Sequence, residues 1–272
     1  TSMVAAGENS GQLGEVLARL ASNMEASQKV RRKVLGATIY PMVLSVVAMA
    51  VIVILMVFVV PKGVQQFESF HQKLPRLTEL TIAFSHWLQQ YGLWAFIAII
   101  GVIITARQSL KLENIRYGYD KIMLRVPLIG RLNRQMNAAR FARTMSGLLA
   151  SGTPVMSAIT VSKNTLKNTV MRGGIEQVIE QVRGGSSLGG ALKKSQALPP
   201  LMVHMIASGE TSGELAHMFE VSADYLEDEF DSTVTIVLNL LEPLIIILLG
   251  GVVLLIVAAI FLPILRLNTL SF

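Results

Sequence analysis

The sequence predicts an all-α membrane protein with three transmembrane helices and a cytoplasmic antiparallel six-helix bundle domain. Of its 272 residues, 52% are hydrophobic and 15% are charged, whereas soluble domains are usually about 25% charged. Three long stretches are almost free of charge, as a helix in lipid requires. Between Arg107 and Asp231, apolar residues recur with a helical period and never alternate as in a strand.

The three nearly uncharged stretches define the predicted spans. Residues 34–61 contain no charged side chain. Residues 87–106 contain none either, and aromatic residues lie at their start, as in an interfacial belt. Residues 232–265 form the third span and are interrupted only by Glu242. Each stretch reaches the roughly 20 residues that are needed to cross a bilayer core.

Basic residues beside the spans predict the orientation. Those before the first span are Lys29, Arg31, Arg32 and Lys33, and those after the second are Arg107, Lys111, Arg116, Lys121, Arg125, Arg131 and Arg134. Because Lys and Arg concentrate on the cytoplasmic side, we expect residues 62–86 to form a periplasmic loop. The same placement attributes the net charge of +6 to the membrane flanks rather than to nucleic-acid binding.

An internal repeat relates the first span to the third. Residues 5–13, AAGENSGQL, match residues 207–215, ASGETSGEL, and the register continues so that Pro41 matches Pro243. The flanking charges of the third span leave its direction open. The repeat makes it equivalent to the first span, which places residues 266–272 in the periplasm.

The repeat also predicts the domain organisation. Residues 1–33 correspond to the last helix of a first cytoplasmic domain, and residues 107–231 form a second one. The counterpart of residues 107–204 would have to precede Thr1. We therefore expect this chain to be a fragment whose first cytoplasmic domain lies mostly upstream.

Helix-capping and helix-breaking residues divide the second cytoplasmic domain into about six helices. These cover residues 132–150, a segment opened by Pro154, residues 166–182, a short segment around Leu188 and Leu192, a segment opened by Pro199 and Pro200, and a last helix that starts near Ser212 and continues into the third span. Residues 107–126 precede them as an amphipathic connector.

A glycine-rich corner occurs in both copies of the repeat. Gly209 is predicted to end the fifth helix in the left-handed conformation. Thr211 and Glu214 have the spacing of a capping box for the sixth helix, and Glu210 lies where the positive end of its dipole favours an acid. The whole motif comprises Gly7, Glu8, Asn9, Gly11, Gln12, Gly209, Glu210, Thr211, Gly213 and Glu214. We interpret it as a rigid corner, and a docking contact for a partner stays open.

Glu242 is the single charge within a predicted span. Charged residues in membranes mark proton or ion paths, so a small-solute or ion transporter is the alternative of a different class. The counterpart of Glu242 in the first copy is Tyr40. We expect Pro41, Glu242 and Pro243 to lie near the membrane interface, where the prolines kink their helices.

Composition and spacing argue against catalytic chemistry. The chain has no cysteine, and its 4 histidines are scattered. The sequence contains no Ser-His-Asp, His-Glu-x-x-His or phosphate-loop pattern. We predict no catalytic residue, no metal site and no cofactor, and we expect that the protein is not an enzyme.

Several distinctive motifs occur along the chain: PLIG at 127–130, ARFARTMSGLLASGTP at 139–154, GSSLGGAL at 185–192, Leu198-Pro199, and both copies of Gly-Glu-x-Ser-Gly-x-Leu. Together these motifs resemble the inner-membrane platform proteins of bacterial type II secretion systems and type IV pili. Residues 59–75 make the chain more similar to the general secretion pathway protein F branch. A type IV pilus platform is the alternative.

The resemblance implies an inner-membrane platform with two cytoplasmic six-helix domains and three spans. Such a platform holds the cytoplasmic secretion ATPase, contacts other inner-membrane secretion components and membrane lipid, and couples ATPase motion to pseudopilin assembly, as a homo-oligomer. This chain departs from the family by lacking most of the first domain. On the second domain, Arg134, Arg140 and Arg143 are candidates for binding an acidic partner.

Overall fold

The computed structural model describes residue 36, residues 38–62 and residues 75–270, of which residues 263–270 are described by their backbone alone. It divides into two compact units. Residues 109–235 form one, here called the bundle unit, and the described residues of 36–108 and 236–270 form the other, here called the membrane unit. These described ranges contain helices and no strand, which confirms the all-α class.

The helices within the described ranges are α1 (Thr38–Lys62), α2 (Arg76–Ser109), α3 (Glu113–Met123), α4 (Pro127–Ala150), α5 (Val155–Ser162), α6 (Thr169–Arg183), α7 (Leu188–Ser195), α8 (Pro200–Ser212) and α9 (Leu215–Leu270). By length and composition, α1, α2 and the part of α9 up to Leu262 can cross a membrane. The prediction of three membrane-spanning helices is confirmed. The last helix also continues without a break into the third span, as expected.

The bundle unit is built around one apolar core. Helices α4 to α8 and the start of α9 contribute to it. Phe141 and Phe219 meet edge to face at its centre, with their ring centroids 6.2 Å apart. Asn168 caps α6 by accepting hydrogen bonds from the amides of Val170 and Met171, as short polar side chains do before a helix. The connector helix α3 packs against α4 and α6.

In the membrane unit, α2 is much longer than the span predicted from its charge-free residues. It begins at Arg76 rather than at Trp87, so residues 76–86, which we expected to be loop, are helical. A search for uncharged stretches misses this part because Arg76, Glu79 and His86 belong to it.

The polar part of α2 contacts the other two helices of the membrane unit through hydrogen bonds to their backbones. The Thr78 hydroxyl donates to the carbonyl of Ala259 over 2.8 Å. The Ser85 hydroxyl donates to the carbonyl of Met56. Thr78 and Ser85 are buried, although both are polar. Their burial is tolerated because each hydroxyl donates to an acceptor, which offsets the cost of removing it from water.

A π-helical turn in α1 accepts hydrogen bonds from side chains of α2. From Leu55 to Val59 the helix widens, and the amide of Val60 donates to the carbonyl of Leu55, five residues earlier. Widened turns disturb the regular pairing of carbonyls and often occur at functional positions. The carbonyl of Val57 accepts a 2.9 Å hydrogen bond from the Gln89 amide. Side chains of α2 therefore supply donors to this turn.

Candidate functional site

The corner between α8 and α9 differs from the predicted one. Gly213, with φ of +79°, ends α8, whereas Gly209 lies inside that helix. The Thr211 hydroxyl donates to the carbonyl of Ala207 over 2.9 Å, so it does not cap α9. Glu214 occupies the N-cap position, and its carbonyl accepts from the amide of Met218. The capping box and the left-handed Gly209 were therefore wrong, because α8 continues to Ser212.

Gly209 has a packing role instead. A Cβ atom added there would lie 2.6 Å from Cγ of Met218 on α9. The same close approach recurs between α7 and α8, where a Cβ on Gly189 would lie 2.6 Å from Cβ of Ala207. Real Cβ atoms do not approach so closely, so glycine at these two positions leaves room for Met218 and Ala207 and lets the three helices pack at short range.

The Glu210 carboxylate on α8 binds the N-terminus of α7. Its carboxylate accepts from the amide of Leu188 over 2.6 Å and from that of Gly189 over 2.8 Å. The Ser187 hydroxyl accepts from the next amide, that of Gly190. An acid at a helix N-terminus was predicted, but the helix is α7 rather than α9. The carboxylate neutralises the free amides and the positive dipole end of α7.

The N-terminal copy of the motif cannot be compared with this geometry. Gly7, Glu8, Asn9, Gly11 and Gln12 lie outside the residues that the structure describes. For the C-terminal copy, the arrangement joins α7, α8 and α9 through packing and hydrogen bonds. Its role as a rigid corner or a docking contact stays a prediction.

The Glu242 carboxylate in the membrane unit has a partner on α1. The Tyr40 hydroxyl donates to Oε1 of Glu242 over 3.1 Å. These two residues occupy equivalent positions in the repeat, which the sequence showed, but the sequence did not show that they touch. Farther along, Met56 and Ile256 share one apolar cluster. Because both contacts run in the same order along the two helices, α1 and α9 are parallel, as the repeat predicted.

Pro243 lies in the interior of α9, whereas Pro41 is the fourth residue of α1 as described and lies in its first turn. Their position at the membrane interface, and a kink at each of them, remain predictions. A proton path would need a series of polar groups across the membrane. The contact between Tyr40 and Glu242 supplies one such pair.

Of the candidate partner-binding residues, Arg143 is occupied within the bundle. Its guanidinium donates to Glu227 over 2.8 Å and also contacts Asp224, both on α9. Burial opposes the charged form of Arg143, but hydrogen bonds and charge from Glu227 and Asp224 outweigh it and raise the pKa. The Arg143 side chain is 20% exposed, and its charge is already paired within the bundle. Its sequence neighbours gave no sign of the acids on a distant helix.

The other two candidate arginines, Arg134 and Arg140, differ from Arg143 because they form no ion pair among the described residues. Arg134 is exposed and Arg140 is partly buried. Within the described part of the chain, neither has an acidic side chain at ion-pair distance. Burial lowers the pKa of Arg140, because removing water disfavours its charged form. Arg134 and Arg140 are therefore the two candidate arginines that no acidic side chain of the described residues neutralises.

A polar network that the sequence did not predict fixes α3 to the bundle. Oδ2 of Asp120 accepts from both the amide and the hydroxyl of Thr169, over 2.8 and 2.7 Å. Oδ1 of Asn137 on α4 accepts from the amides of Lys167 and Asn168. Asn168 could be recognised as a helix cap, but Asp120 carried no local signal, since its partners lie about 50 residues later.

Among the described residues, His, Asp and Glu form no cluster of three or more that could hold a metal ion. His71 lies outside these residues.

Comparison with known proteins gives the family. The family model for type II secretion system (T2SS) protein F matches residues 1–61 and 141–263. These ranges end at two prolines that the internal repeat places in register.

Individual relatives agree with this match. Type II secretion system protein F of Aeromonas hydrophila is 46% identical over 269 residues, which cover 99% of this chain and 69% of that protein. The protein of the same name from Pseudomonas aeruginosa is 41% identical over 98% of this chain and 66% of the relative. Type IV pilus assembly protein PilC of Myxococcus xanthus is 32% identical over 92% of this chain and 60% of the relative.

The chain thus spans between 60% and 69% of the length of these relatives. Its three helices able to cross a membrane, together with these relatives, confirm the predicted location in the inner membrane. The chain belongs to the type II secretion system protein F family, as its motifs predicted.

Proposed function

We propose that this chain is part of the inner-membrane platform of a type II secretion system, which couples a cytoplasmic secretion ATPase to pseudopilus assembly and protein export. The protein F relatives named above are 46% and 41% identical to the chain, against 32% for the PilC protein. The two higher identities support the secretion role in this proposal, with pilus assembly as the alternative. In this proposal the bundle unit is cytoplasmic, and the segment between α1 and α2 is periplasmic.

The observation that carries the coupling is the continuity of α9. Its start is packed into the bundle core through Phe219, Ala223 and Leu226, which are all fully buried or nearly so. The same helix continues to Leu270 through the third candidate span. An α-helix transmits displacement along its axis because each turn is hydrogen-bonded to the next. No reactive group is needed for such a role.

We assign Arg140 and Arg134, which both lie on α4, to the contact with the ATPase. Burying a charge without a partner is unfavourable, yet Arg140 is partly buried without an acid near it in the described residues. An acidic surface on the partner would offset that cost on binding. We leave Arg143 out of the proposed contact because Glu227 and Asp224 already neutralise its charge.

The test is a double charge reversal, Arg134→Glu with Arg140→Glu, in the full chain. We expect recovery of the secretion ATPase with the purified protein to fall by about tenfold, since like charges replace attractive ones across the contact. Insertion into the inner membrane should not change. Quantitative immunoblotting of the co-purified ATPase measures the effect.

The matched control is Lys193→Glu with Lys194→Glu, which reverses two exposed charges at the end of α7. ATPase recovery should be unchanged in this variant. Equal losses in both double variants would show a general dependence on net charge, and no loss in the first variant would remove Arg134 and Arg140 from the proposed contact.

A further inference from the structure

The connector helix α3 carries an apolar face that the described residues of the chain leave exposed. Leu112, at its N-cap, is 61% exposed, and along the helix Ile115, Tyr119 and Ile122 are 46%, 43% and 65% exposed. Their spacing of three, four and three residues places all four on one side. In a soluble bundle such a stripe normally faces the core.

The stripe is exposed because α3 docks on the bundle with its polar side. Asp120 receives the two hydrogen bonds from Thr169 described above. The guanidinium of Arg116 donates to the carbonyl of Lys167 over 3.1 Å. These contacts fix the rotation of α3 about its axis, so the apolar residues cannot turn inward without breaking them.

The position of α3 in the chain keeps it close to the end of a candidate span. The charge-free part of α2 ends at Ala106, and the helix itself ends at Ser109. Only residues 110–112 lie between α2 and α3, and a link of this length extends at most about 14 Å. Wherever α2 leaves the bilayer, α3 must start nearby.

Basic residues accompany the stripe. Lys111, Lys121 and Arg125 are all exposed and lie at or beside the ends of α3. Within the described residues, none of them forms an ion pair with an acid. This combination of an apolar stripe, a tyrosine within it and flanking cations is typical of helices that lie in the headgroup region of a bilayer.

We propose that α3 is an interfacial helix that lies in the membrane surface next to α2. Its stripe of Leu112, Ile115, Tyr119 and Ile122 enters the boundary between headgroups and acyl chains. Lys111, Lys121 and Arg125 bind anionic headgroups. The proposal needs only that the chain is a membrane protein, and it does not depend on the ATPase contact.

The absence of cysteine from the chain makes a labelling test direct. Single variants Ile115→Cys and Ile122→Cys carry an environment-sensitive fluorophore on the stripe, and Asn114→Cys, also exposed, carries it on another side of the same helix. The full chain is reconstituted at one copy per nanodisc of phosphatidylcholine and phosphatidylglycerol. We expect quenching by brominated lipid to be at least about twofold stronger at positions 115 and 122 than at position 114.

Two results would overturn the proposal. Equal, weak quenching at all three positions would show that the stripe faces water. If the fluorophores at positions 115 and 122 are shielded from water only when each nanodisc holds two copies, a second copy of the chain covers the stripe instead.

A charge variant tests the headgroup contact separately. Neutralising the cations with Lys111→Gln, Lys121→Gln and Arg125→Gln should remove the increase in quenching that phosphatidylglycerol produces over phosphatidylcholine alone. An unchanged increase would contradict binding of anionic headgroups by these residues. Because all three are exposed, the bundle should stay folded, and its circular dichroism provides the check.

Discussion

The bundle unit and the membrane unit use the same kinds of side chain in opposite ways. The bundle buries Phe141, Met145 and Ile175 completely or nearly so and exposes most of its charges. The membrane unit exposes large apolar residues, such as Ile247 at 72%, and buries Thr78 and Ser85. Which residues are buried therefore depends on the surroundings of each unit rather than on hydrophobicity alone.

The difference has an energetic basis. In water, burying apolar area is the dominant favourable contribution to folding. In lipid, apolar side chains gain little by leaving the acyl chains, so helix association depends on close packing and interhelical hydrogen bonds. The hydroxyl contacts of Thr78 and Ser85 with backbone carbonyls are such bonds. Variants of matched residues in the two units can test this contrast.

The largest effect should follow from Phe141→Ala in the bundle core. Phe141 is 1% exposed and packs edge to face against Phe219. Removing a buried phenyl ring costs about 3–5 kcal/mol, because apolar contacts are lost and a cavity remains. Hydrogen exchange of the amides of α6 and α8 should accelerate accordingly.

Phe96→Ala in the membrane unit is the matched control. Phe96 lies in α2 and is 62% exposed in the protein, so lipid surrounds the ring in both the folded and the dissociated helix. The free energy of unfolding should change by less than about 0.5 kcal/mol. Comparable losses for the two variants would contradict the contrast between the units.

The next effect concerns the corner of the bundle. Glu210→Ala removes the acceptor for the amides of Leu188 and Gly189 at the start of α7. We expect the bundle to lose about 1–2 kcal/mol, the usual cost of removing a helix cap with its charge. Hydrogen exchange at the start of α7 measures it. Glu220→Ala, at an exposed position on α9, serves as the control and should change little.

The corner between α8 and α9 was predicted from the sequence only in part. The repeat identified the glycines and the acid, because their spacing is local. It did not identify the partner of Glu210, since Leu188 lies 22 residues earlier in the chain. The sequence also placed the Thr-x-x-Glu pattern on the wrong helix end, because the continuation of α8 to Ser212 depends on packing of Gly209 against Met218.

The membrane unit was also predicted only in part, because local sequence shows the spans but not the contacts between them. The spans were found because lipid requires long uncharged segments, and this requirement acts on local sequence. The polar part of α2, residues 76–86, was missed because its hydrogen bonds are made to α1 and α9, which no local pattern encodes. The contact of Tyr40 with Glu242 was missed for the same reason, although the repeat had placed the two residues at equivalent positions.

A smaller effect is expected from Thr78→Val, which removes the hydroxyl bonded to Ala259 at nearly constant volume. Interhelical hydrogen bonds in membranes contribute about 1 kcal/mol, so α2 should separate from α9 more easily. Both tryptophans of the chain, Trp87 and Trp94, lie on α2. Their fluorescence during unfolding of the reconstituted protein in dodecyl sulfate therefore reports on this helix.

Thr81→Val is a close control for Thr78→Val. Thr81 is also buried in α2, but its hydroxyl donates to the carbonyl of Leu77 within the same helix. Its replacement should leave the separation of α2 from α9 unchanged. Equal shifts in the two unfolding curves would show that the interhelical hydrogen bond has no measurable role.

The smallest effect should have the opposite sign. Burial lowers the pKa of Arg140, which means that the charged guanidinium is less favourable in the folded bundle than in water. Arg140→Met keeps a long side chain without charge and should stabilise the isolated protein by about 0.5 kcal/mol. Arginine remains protonated at neutral pH, and the cost would be relieved only as the pH rises through the lowered pKa. The gain in unfolding free energy should therefore be the same throughout the neutral range.

A matching change at Arg143 should have the reverse result. Arg143→Met leaves Glu227 partly buried and without its cation, so the bundle should lose stability where Arg140→Met gains it. If both variants lose stability, then Arg140 stabilises the bundle itself, and its charge is not maintained for binding a partner. If Arg140→Met gains stability and also recovers less secretion ATPase, then the unpaired charge is maintained for binding at the expense of folding, as functional residues often are.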